Sequence, residues 1–435
     1  MQKWTICGHR HRERGQTIIL IAISLISLLA MAALAIDVVT LYVARSEIQR
    51  AADAAALAGA KAIADSSVTT LPAGDGNLPA AKLLAQTMAT NAINAILPTN
   101  LVAGSPPTFA GGPPAMDFTR QGNPIITVSL TSGTLPTFFA RIWGQKSATV
   151  AASATAEAYN PANNSSITPI APTSVKPWMI ANTDTSNPSV QLVNTTTWAV
   201  DSPVIGQPLI IRSDCTQLGA GCVLSRPPTY DSATTQVDYV PALVTANTGN
   251  VCPSTCGGGS TYEEGIECAD ANSYAYLSCG GGSTQAQWDN MVNPGTLAGP
   301  TATGAECLIH ATGAGSGMGQ DTIDTSLWPT GPMNIMAGSG PQSGNVVSTS
   351  NSVVTIPIVD NTVIVNGGGP VTIVGYLQAF IDEVEPTGVL GQYNAGDLLV
   401  HVLNIAGCSS TNNGAKPIVG GTGTSPIPVR LITPP

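Results

Sequence analysis

The chain opens with a long apolar run that passes, without a helix breaker, into an alanine-rich stretch. Thr17 to Ile36 gives 20 residues without a charge, and at 1.5 Å per residue they cover about 30 Å, the thickness of a bilayer's hydrocarbon core. Residues 44–64 consist largely of strong helix formers, and no proline follows until Pro72. This pattern predicts a transmembrane helix over residues 17–43 that continues as a stalk.

The charges around the run predict its orientation. Basic residues precede it at Lys3, Arg10, Arg12 and Arg14, opposed only by Glu13. Residues 1–16 are therefore expected to form a cytoplasmic basic tail, with the rest of the chain beyond the membrane. Asp37 falls at the outer edge of the run, where we expect an interfacial carboxylate rather than a buried functional charge.

Cleavage as a signal peptide is the alternative. The small residues Ala33 to Ala35 resemble a cleavage site behind a basic leader. The apolar run is longer than the usual signal-peptide core of about 7 to 15 residues, however, and the helical pattern continues past it. An uncleaved anchor is favoured, and a secreted form starting near Ile36 remains open.

The stalk carries a face of small residues. Ala51, Ala55 and Gly59 recur every four residues, as do Ala52 and Ala56, so that one side of the helix is nearly bare backbone and allows close approach. This face is suited to association with a copy of itself or with a partner's helix. Packing against the chain's own domain is equally compatible with the pattern.

The rest of the chain predicts an α+β protein in two parts. A helical period over residues 78–97 and alternating stretches over 125–130 and 148–158 indicate a small membrane-proximal α+β domain over residues 44–160. The composition of residues 161–174 is that of a linker. Residues 175–435 contain short apolar runs separated by Gly, Pro and Asn, which predicts a distal, mostly-β, sandwich-like domain.

Charge is unevenly distributed and excludes one class of partner. Residues 1–159 contain 11 Lys and Arg against 8 Asp and Glu, whereas residues 160–435 contain 5 against 18. Nucleic acid is not expected as a partner, because phosphate binding requires a basic face.

The cysteines predict disulfide bonds beyond the membrane. Cys7 alone precedes the span, and an even number follows it: Cys215, Cys222, Cys252, Cys256, Cys268, Cys279, Cys307 and Cys408. Such a division is typical of an exported domain braced by disulfides, whose connectivity the sequence does not give. A zinc site at Cys252, Cys256, Cys268 and Cys279 is the alternative, but no second short cysteine pair supports it.

Chemistry-bearing motifs are scarce. His310 and His401 are the only histidines beyond the span, and neither belongs to an H-E-x-x-H motif. Glu263, Glu264, Glu267 and Asp270 could bind calcium, but they lack the alternating ligand spacing, and a solvated acidic loop is favoured. No catalytic residue, cofactor or metal site is predicted.

Two stretches resemble a known family. "RGQTIILIAISLISLLAMAALAIDVVTLYVARSEIQRAADAAALAGAKAIA" from Arg14, and less closely residues 124–158 with "PTFF", resemble TadG-like and TadE-like proteins of Flp (tight adherence) pilus assembly. In pilins and TadE-type pseudopilins of such systems a peptidase cuts after a Gly that precedes the apolar segment. Gly15 is the candidate processing site here, although Leu20 stands where those subunits carry Glu.

The resemblance implies a function. It implies a non-enzymatic, membrane-anchored assembly or scaffold protein of a bacterial inner membrane, with a periplasmic C-terminal part and with other Tad components as partners, rather than a fibre subunit. The alternative is a secreted or surface adhesin or hydrolase that binds a glycan, with the N-terminus serving only for export.

Overall fold

The computed structural model describes most of the chain in segments. They are residues 13–120, 122–137, 139–162, 170–172, 175–184, 190–201, 204–213, 230–231, 236–242, 260–267, 285–287, 297–310, 319–360, 370–385, 396–408, 418–419 and 425–432.

The helices and strands of these segments have the following bounds. The helices are α1 (Glu13–Asp65), α2 (Leu78–Ile96), α3 (Thr261–Glu267) and α4 (Ala298–Ile309), with short 3-10 turns at Leu97–Thr99, Ala140–Trp143 and Gly340–Gln342. The strands are β1 (Thr108–Phe109), β2 (Ala115–Asp117), β3 (Ile125–Pro136), β4 (Ser147–Ala158), β5 (Ile170–Ala171), β6 (Trp178–Ala181), β7 (Pro208–Ser213), β8 (Tyr230–Asp231), β9 (Gln236–Pro241), β10 (Gln285–Gln287), β11 (Thr322–Asp324), β12 (Asn334–Met336), β13 (Val346–Val347), β14 (Val353–Val359), β15 (Pro370–Glu385), β16 (Asp397–Gly407), β17 (Ile418–Val419) and β18 (Val429–Ile432).

Helix α1 is continuous over 53 residues. Its few polar side chains in the apolar half bond to the helix itself: Ser27 Oγ donates to the Ile23 carbonyl at 2.6 Å, and Thr40 Oγ1 to the Ile36 carbonyl at 2.8 Å. These hydroxyls therefore need no water, which suits a helix in an apolar solvent. Among the described residues α1 is the one helix long and apolar enough to cross a membrane, by length and composition alone.

A first sheet packs beside the second half of α1. Its strand order is β1-β3-β4-β18, with β2 also on β3, and the pairings are antiparallel. Along β3 the buried side chains of Ile126, Val128 and Leu130 alternate with hydroxyl residues. On the other face, Thr127 and Thr155 hydroxyls lie 3.0 Å apart across the strands, as do those of Ser129 and Ser153. The alternation places one apolar face in the core of this part of the chain.

Strand β18 comes from the far end of the sequence and was not predicted in this sheet. It pairs with β4 over Thr155 to Ala158. Arg430 Nε donates to Glu157 Oε1 at 2.5 Å, and the Arg430 guanidinium lies 5.2 Å from the centre of the Tyr159 ring. The end of the chain therefore returns to the part that packs on α1.

The larger sheet closes on itself. Its strands follow the order β10-β15-β14-β6-β9-β7-β16, and β15 also pairs with β16. Strands β15, β14, β6, β9, β7 and β16 thus form a closed six-stranded ring, with parallel pairs at β14–β6 and β7–β9. The sequence predicted a sandwich-like arrangement of two sheets, whereas the structure has a single barrel-like sheet in this part of the chain.

Bulges and a long strand explain the closure. Strand β15 is 16 residues long, pairs along both edges, and changes register at Gln378/Ala379 and Ile381/Glu383. Such bulges bend and twist a strand and allow a sheet to curl. Arg212 on β7 and Asp397 on β16 form a buried ion pair across the closing edge, with Nε to Oδ1 at 2.7 Å and a second contact from Nη2 to Oδ2. Helices α3 and α4 contribute to the same core.

The turn that ends α1 joins the helix to the barrel. Ser67 Oγ donates to the Leu403 carbonyl at 2.5 Å, and Thr70 Oγ1 accepts the Ile405 N–H at 3.2 Å. Asn160 Nδ2 bonds to the carbonyls of both Thr69 and Ile405, at 3.2 and 2.9 Å. These four polar residues of the turn and of the β4 exit are 0 to 1% exposed. Most of the predicted linker lies outside the described residues.

We expect Gly59→Leu to destabilise the protein. A Cβ at Gly59 would lie 2.7 Å from Ile126 Cδ1 and 3.0 Å from Ile93 Cδ1. Both neighbours are ends of flexible side chains, so that Ala should be tolerated, whereas Leu overpacks the contact and should cost about 1–3 kcal/mol of unfolding free energy. Thermal unfolding of the full chain in detergent measures the effect. Ala95→Leu on the exposed side of α2 is the matched control, and an equal Tm for the two variants would contradict the packing described.

Candidate functional site

The predicted association face is occupied within the chain. Ala51, Ala52, Ala55, Ala56 and Gly59 are all buried, with the four alanines at 0 to 1% exposed. They belong to one core with α2, β3 and β4. The small side chains let the sheet and α2 approach α1 at backbone level. The structure therefore uses this face for packing on the chain's own domain, the second of the two uses that the sequence left open.

The first half of α1 has the opposite character. Its large apolar side chains from Ile18 to Val43, apart from the partly buried Leu41, are 48 to 69% exposed, and Tyr42 near the end is 76% exposed. Contiguous apolar surface of this extent marks a membrane or protein contact. Gly15, the candidate processing site, lies in the first turns of α1, and Leu20 is exposed.

Asp37 lies at the change between the two halves. It is 5% exposed, and Oδ2 accepts the N–H of Phe139 at 2.9 Å and that of Ala140 at 2.8 Å. These N–H groups are at the start of the 3-10 turn Ala140–Trp143, where backbone donors are otherwise unsatisfied. Asp37 was expected to be an interfacial carboxylate; it is instead a buried group that ties α1 to a segment about a hundred residues later.

Sequence reasoning missed the partner of Asp37. The sequence pattern marked both segments separately: Asp37 follows the apolar run, and "PTFF" from Pro136 belongs to the second family-like stretch. Nothing in either pattern states that they meet, since the pairing depends on how β3 returns to α1. The co-occurrence of an acidic residue at the span's edge and a family-like loop downstream was the available indication.

The predicted disulfide cysteines are mostly outside the described residues. Cys215, Cys222, Cys252, Cys256, Cys268 and Cys279 fall there. Cys307 in α4 and Cys408 after β16 are described, and both are buried, at 1% and 0% exposed. Cys408 belongs to the core that includes α1.

One open cavity of about 820 Å³ lies where α1 and α2 meet the segment from β12 to β14. Its polar lining includes Lys61, Asp65, Asp321, Gln378 and Asn404. Lys61 Nζ and Asp65 Oδ1 are 2.5 Å apart and paired with each other. Within the described segments no three His, Cys, Asp or Glu side chains come together as metal ligands would.

The two histidines that follow the apolar run make different contacts. His310 at the end of α4 has Nδ1 2.8 Å from Glu306 Oε2 and Nε2 2.7 Å from Gln320 Oε1. His401 Nε2 lies 3.4 Å from Asp382 Oδ2. Each ring nitrogen of His310 thus faces an oxygen of a neighbouring chain segment, an arrangement that fixes the ring in place.

The acidic cluster is a helix and not a solvated loop. Glu263 and Glu267 lie on α3 and are 9% and 1% exposed, while Asp270 is outside the described residues. Burial, followed by the neighbouring carboxylates of Glu263 and Glu264, raises the pKa of Glu267 from about 4.5 to about 7. Lys176 Nζ lies close by and donates to the Ile266 carbonyl at 2.7 Å.

Glu267 should make stability depend on pH. The folded chain retains this proton up to about pH 7, whereas the unfolded chain releases it near pH 4.5. The folded state therefore binds more protons between these values, and stability should fall as pH rises through this window. We expect Glu267→Gln to raise Tm relative to the parent at pH 8 and to leave it unchanged at pH 4. A Tm difference that is the same at both pH values would contradict the assignment.

Asp37→Ala should release the segment that Asp37 holds. The change removes the acceptor of two backbone N–H groups, and a buried donor that is left without its partner costs about 1–3 kcal/mol. Trypsin should then cut faster at Arg141 and Lys146, which are exposed, as followed by mass spectrometry of the full chain in detergent. Asp53→Ala is the matched control, because Asp53 accepts its bond from Gln49 on the same helix. Equal cutting rates for both variants would show that Asp37 does not restrain the segment.

Comparison with known proteins gives a family match within α1. Residues 15–62 match the family model Tad, described as "Putative Flp pilus-assembly TadE/G-like". The match confirms the resemblance seen in the sequence, and it spans both the exposed apolar half of α1 and its buried small-residue half. Neither a curated protein nor a solved structure gives a match to the chain.

Proposed function

From the TadE/G-like segment in α1, we propose that this protein is a non-enzymatic, membrane-anchored assembly or scaffold protein of a Tad/Flp-type pilus or secretion system. The observation that carries the proposal is the division of one helix into two surfaces. Residues 18–39 expose their large apolar side chains, whereas the small-residue stretch from Ala51 to Gly59 contributes a face that is buried in the chain's own fold. A pilus-assembly family implies association with other pilus components.

The proposed topology is single-pass in a bacterial inner membrane, with the N-terminus in the cytoplasm and both sheets in the periplasm. The basic residues before the span and the acidic balance of residues 160–435 support it. Oxidation of the eight cysteines beyond the span is part of the proposal. Cys307 and Cys408, the two of these cysteines that the structure describes, are both buried.

Partner contacts are proposed on surfaces other than the small-residue face. A partner helix would reach Ala55 or Gly59 only if β3, β4 and α2 moved away. The open surface of α1 lies in the span, where helix packing and lipid contact compete. Partner helices within the bilayer are therefore the contact that we propose for α1.

The anchor is tested by extraction with alkaline carbonate. We expect the full-length protein in the insoluble membrane fraction. The variant Ile26→Lys/Leu29→Lys should be released, because each Lys near the centre of a span costs about 2.5–3.5 kcal/mol. Leu83→Lys, at a side chain 66% exposed on α2, is the matched control and should stay with the membrane.

Protease added outside spheroplasts tests the orientation. The proposal requires loss of everything beyond the span and protection of a short N-terminal fragment. A bulk of the chain that resists the protease would overturn the topology. A soluble form starting near Ile36 would instead favour the secreted glycan-binding adhesin or hydrolase, since Asp37 to Asp65 could stay folded against the sheet after such a cut.

A further inference from the structure

The buried side of α1 continues from Asp37 toward the N-terminus, into the apolar run. Ala33, one helical turn earlier, is 3% exposed, whereas Met31 and Leu34 beside it are 69% and 55% exposed. Ala33, Asp37 and Ala44 lie on the same side of the helix, and all three are buried. Another part of the chain therefore covers α1 at this level, where the proposed span would reach the outer edge of the bilayer.

The segment held by Asp37 lies beside this part of α1. Its backbone is bonded to Asp37 Oδ2 at Phe139 and Ala140. It turns there through Ala140–Trp143, ends on Gly144 in the left-handed conformation at φ 89°, and rises again into β4. The tip of the β3–β4 hairpin thus points along α1 toward the membrane side.

The composition of this tip fits a lipid surface. Residues 137–146 read TFFARIWGQK, with three aromatic and two basic residues. Aromatic side chains concentrate at the level of lipid headgroups, and basic ones pair with lipid phosphates. Residues 118–156 contain Arg120, Arg141 and Lys146 and no acidic residue, in a chain whose net charge is −10. Arg141 and Lys146 are exposed.

We infer that residues 139–146 form a second membrane contact, an interfacial loop that enters the anionic headgroup layer of the outer leaflet beside α1 and is held at that depth by Asp37. This inference rests on the proposed anchor, because the same bilayer that surrounds residues 18–43 supplies the headgroups. Two attachment points would fix the rotation of α1 about its own axis, and with it the direction in which the sheets face. A single span with no second contact leaves that rotation free.

Tryptophan quenching tests the loop in the full chain. The protein, with Trp4→Phe to remove the tryptophan before the span, is reconstituted in vesicles of phosphatidylglycerol and phosphatidylethanolamine that carry bromine on the upper acyl chain. We expect bromolipid quenching, and a loss of most of it in Trp143→Phe. Trp178→Phe is the control, since Trp178 is 0% exposed in the barrel, and it should leave the quenching unchanged.

The role of lipid charge is tested at the exposed basic residues. Arg141→Gln/Lys146→Gln should reduce Trp143 quenching in anionic vesicles toward its level in phosphatidylcholine vesicles. Arg50→Gln/Lys82→Gln removes the same charge elsewhere and should retain the parent's quenching.

Flotation of the vesicles separates the two possible failures. Protein that does not float with the vesicles defeats the anchor itself. Protein that floats, but whose quenching is identical with and without Trp143, overturns the interfacial loop and leaves the anchor standing.

Discussion

The turn at the end of α1 is the contact on which the rest of the structure depends. Ser67, Thr70 and Asn160 are buried together with the backbone of β16, and their hydroxyl and amide groups pair with carbonyls and an N–H of that strand. Buried polar groups are costly unless all of them are paired, so that this network admits few alternative arrangements. One helix is thereby fixed at one end to the barrel and along its middle to the first sheet, while its other end exposes large apolar side chains. The helix itself and a hydrogen-bonded joint connect this apolar end to the two larger sheets.

The residues that identify the family in this chain serve its internal packing. The "AADAAALAGA" stretch brings the axis of α1 close to the sheet and to α2, and at Gly59 the two isoleucine side chains of β3 and α2 occupy the volume of a missing Cβ. A helix can approach a sheet or another helix so closely only where the facing side chains are small. The polar residues of the same stretch lie on the remaining side, where Gln49 bonds to Asp53 at 2.8 Å. A bare helix face is therefore not sufficient reason to expect a docking helix from elsewhere.

The two larger sheets share a hydrophobic core with the second half of α1. Among the described strands, the six-stranded ring of the larger sheet is closed by pairing, which covers strand edges through which β proteins aggregate. The buried Arg212–Asp397 pair sits at the edge where the ring closes. Strand β18 returns the C-terminal part of the chain to the first sheet, so that the two parts are joined by chain at both ends and by the turn in the middle. These features suit a protein that holds other components in position.

The sequence by itself determined the elements whose pattern is local. The uncharged run from Thr17 to Ile36, the absence of proline before Pro72 and the alanine period specify one long helix, and the alternating stretches over 125–130 and 148–158 lie within the strands β3 and β4. Tertiary structure alone decided what lies against what. It placed Asp37 under two backbone N–H groups about a hundred residues away, turned the small-residue face inward, closed one sheet where two were expected, and returned β18 to β4. The physical reason is that a helical or strand period reports which side of an element is apolar, whereas the surface that covers that side is chosen by long-range packing, which leaves no periodic trace in the sequence.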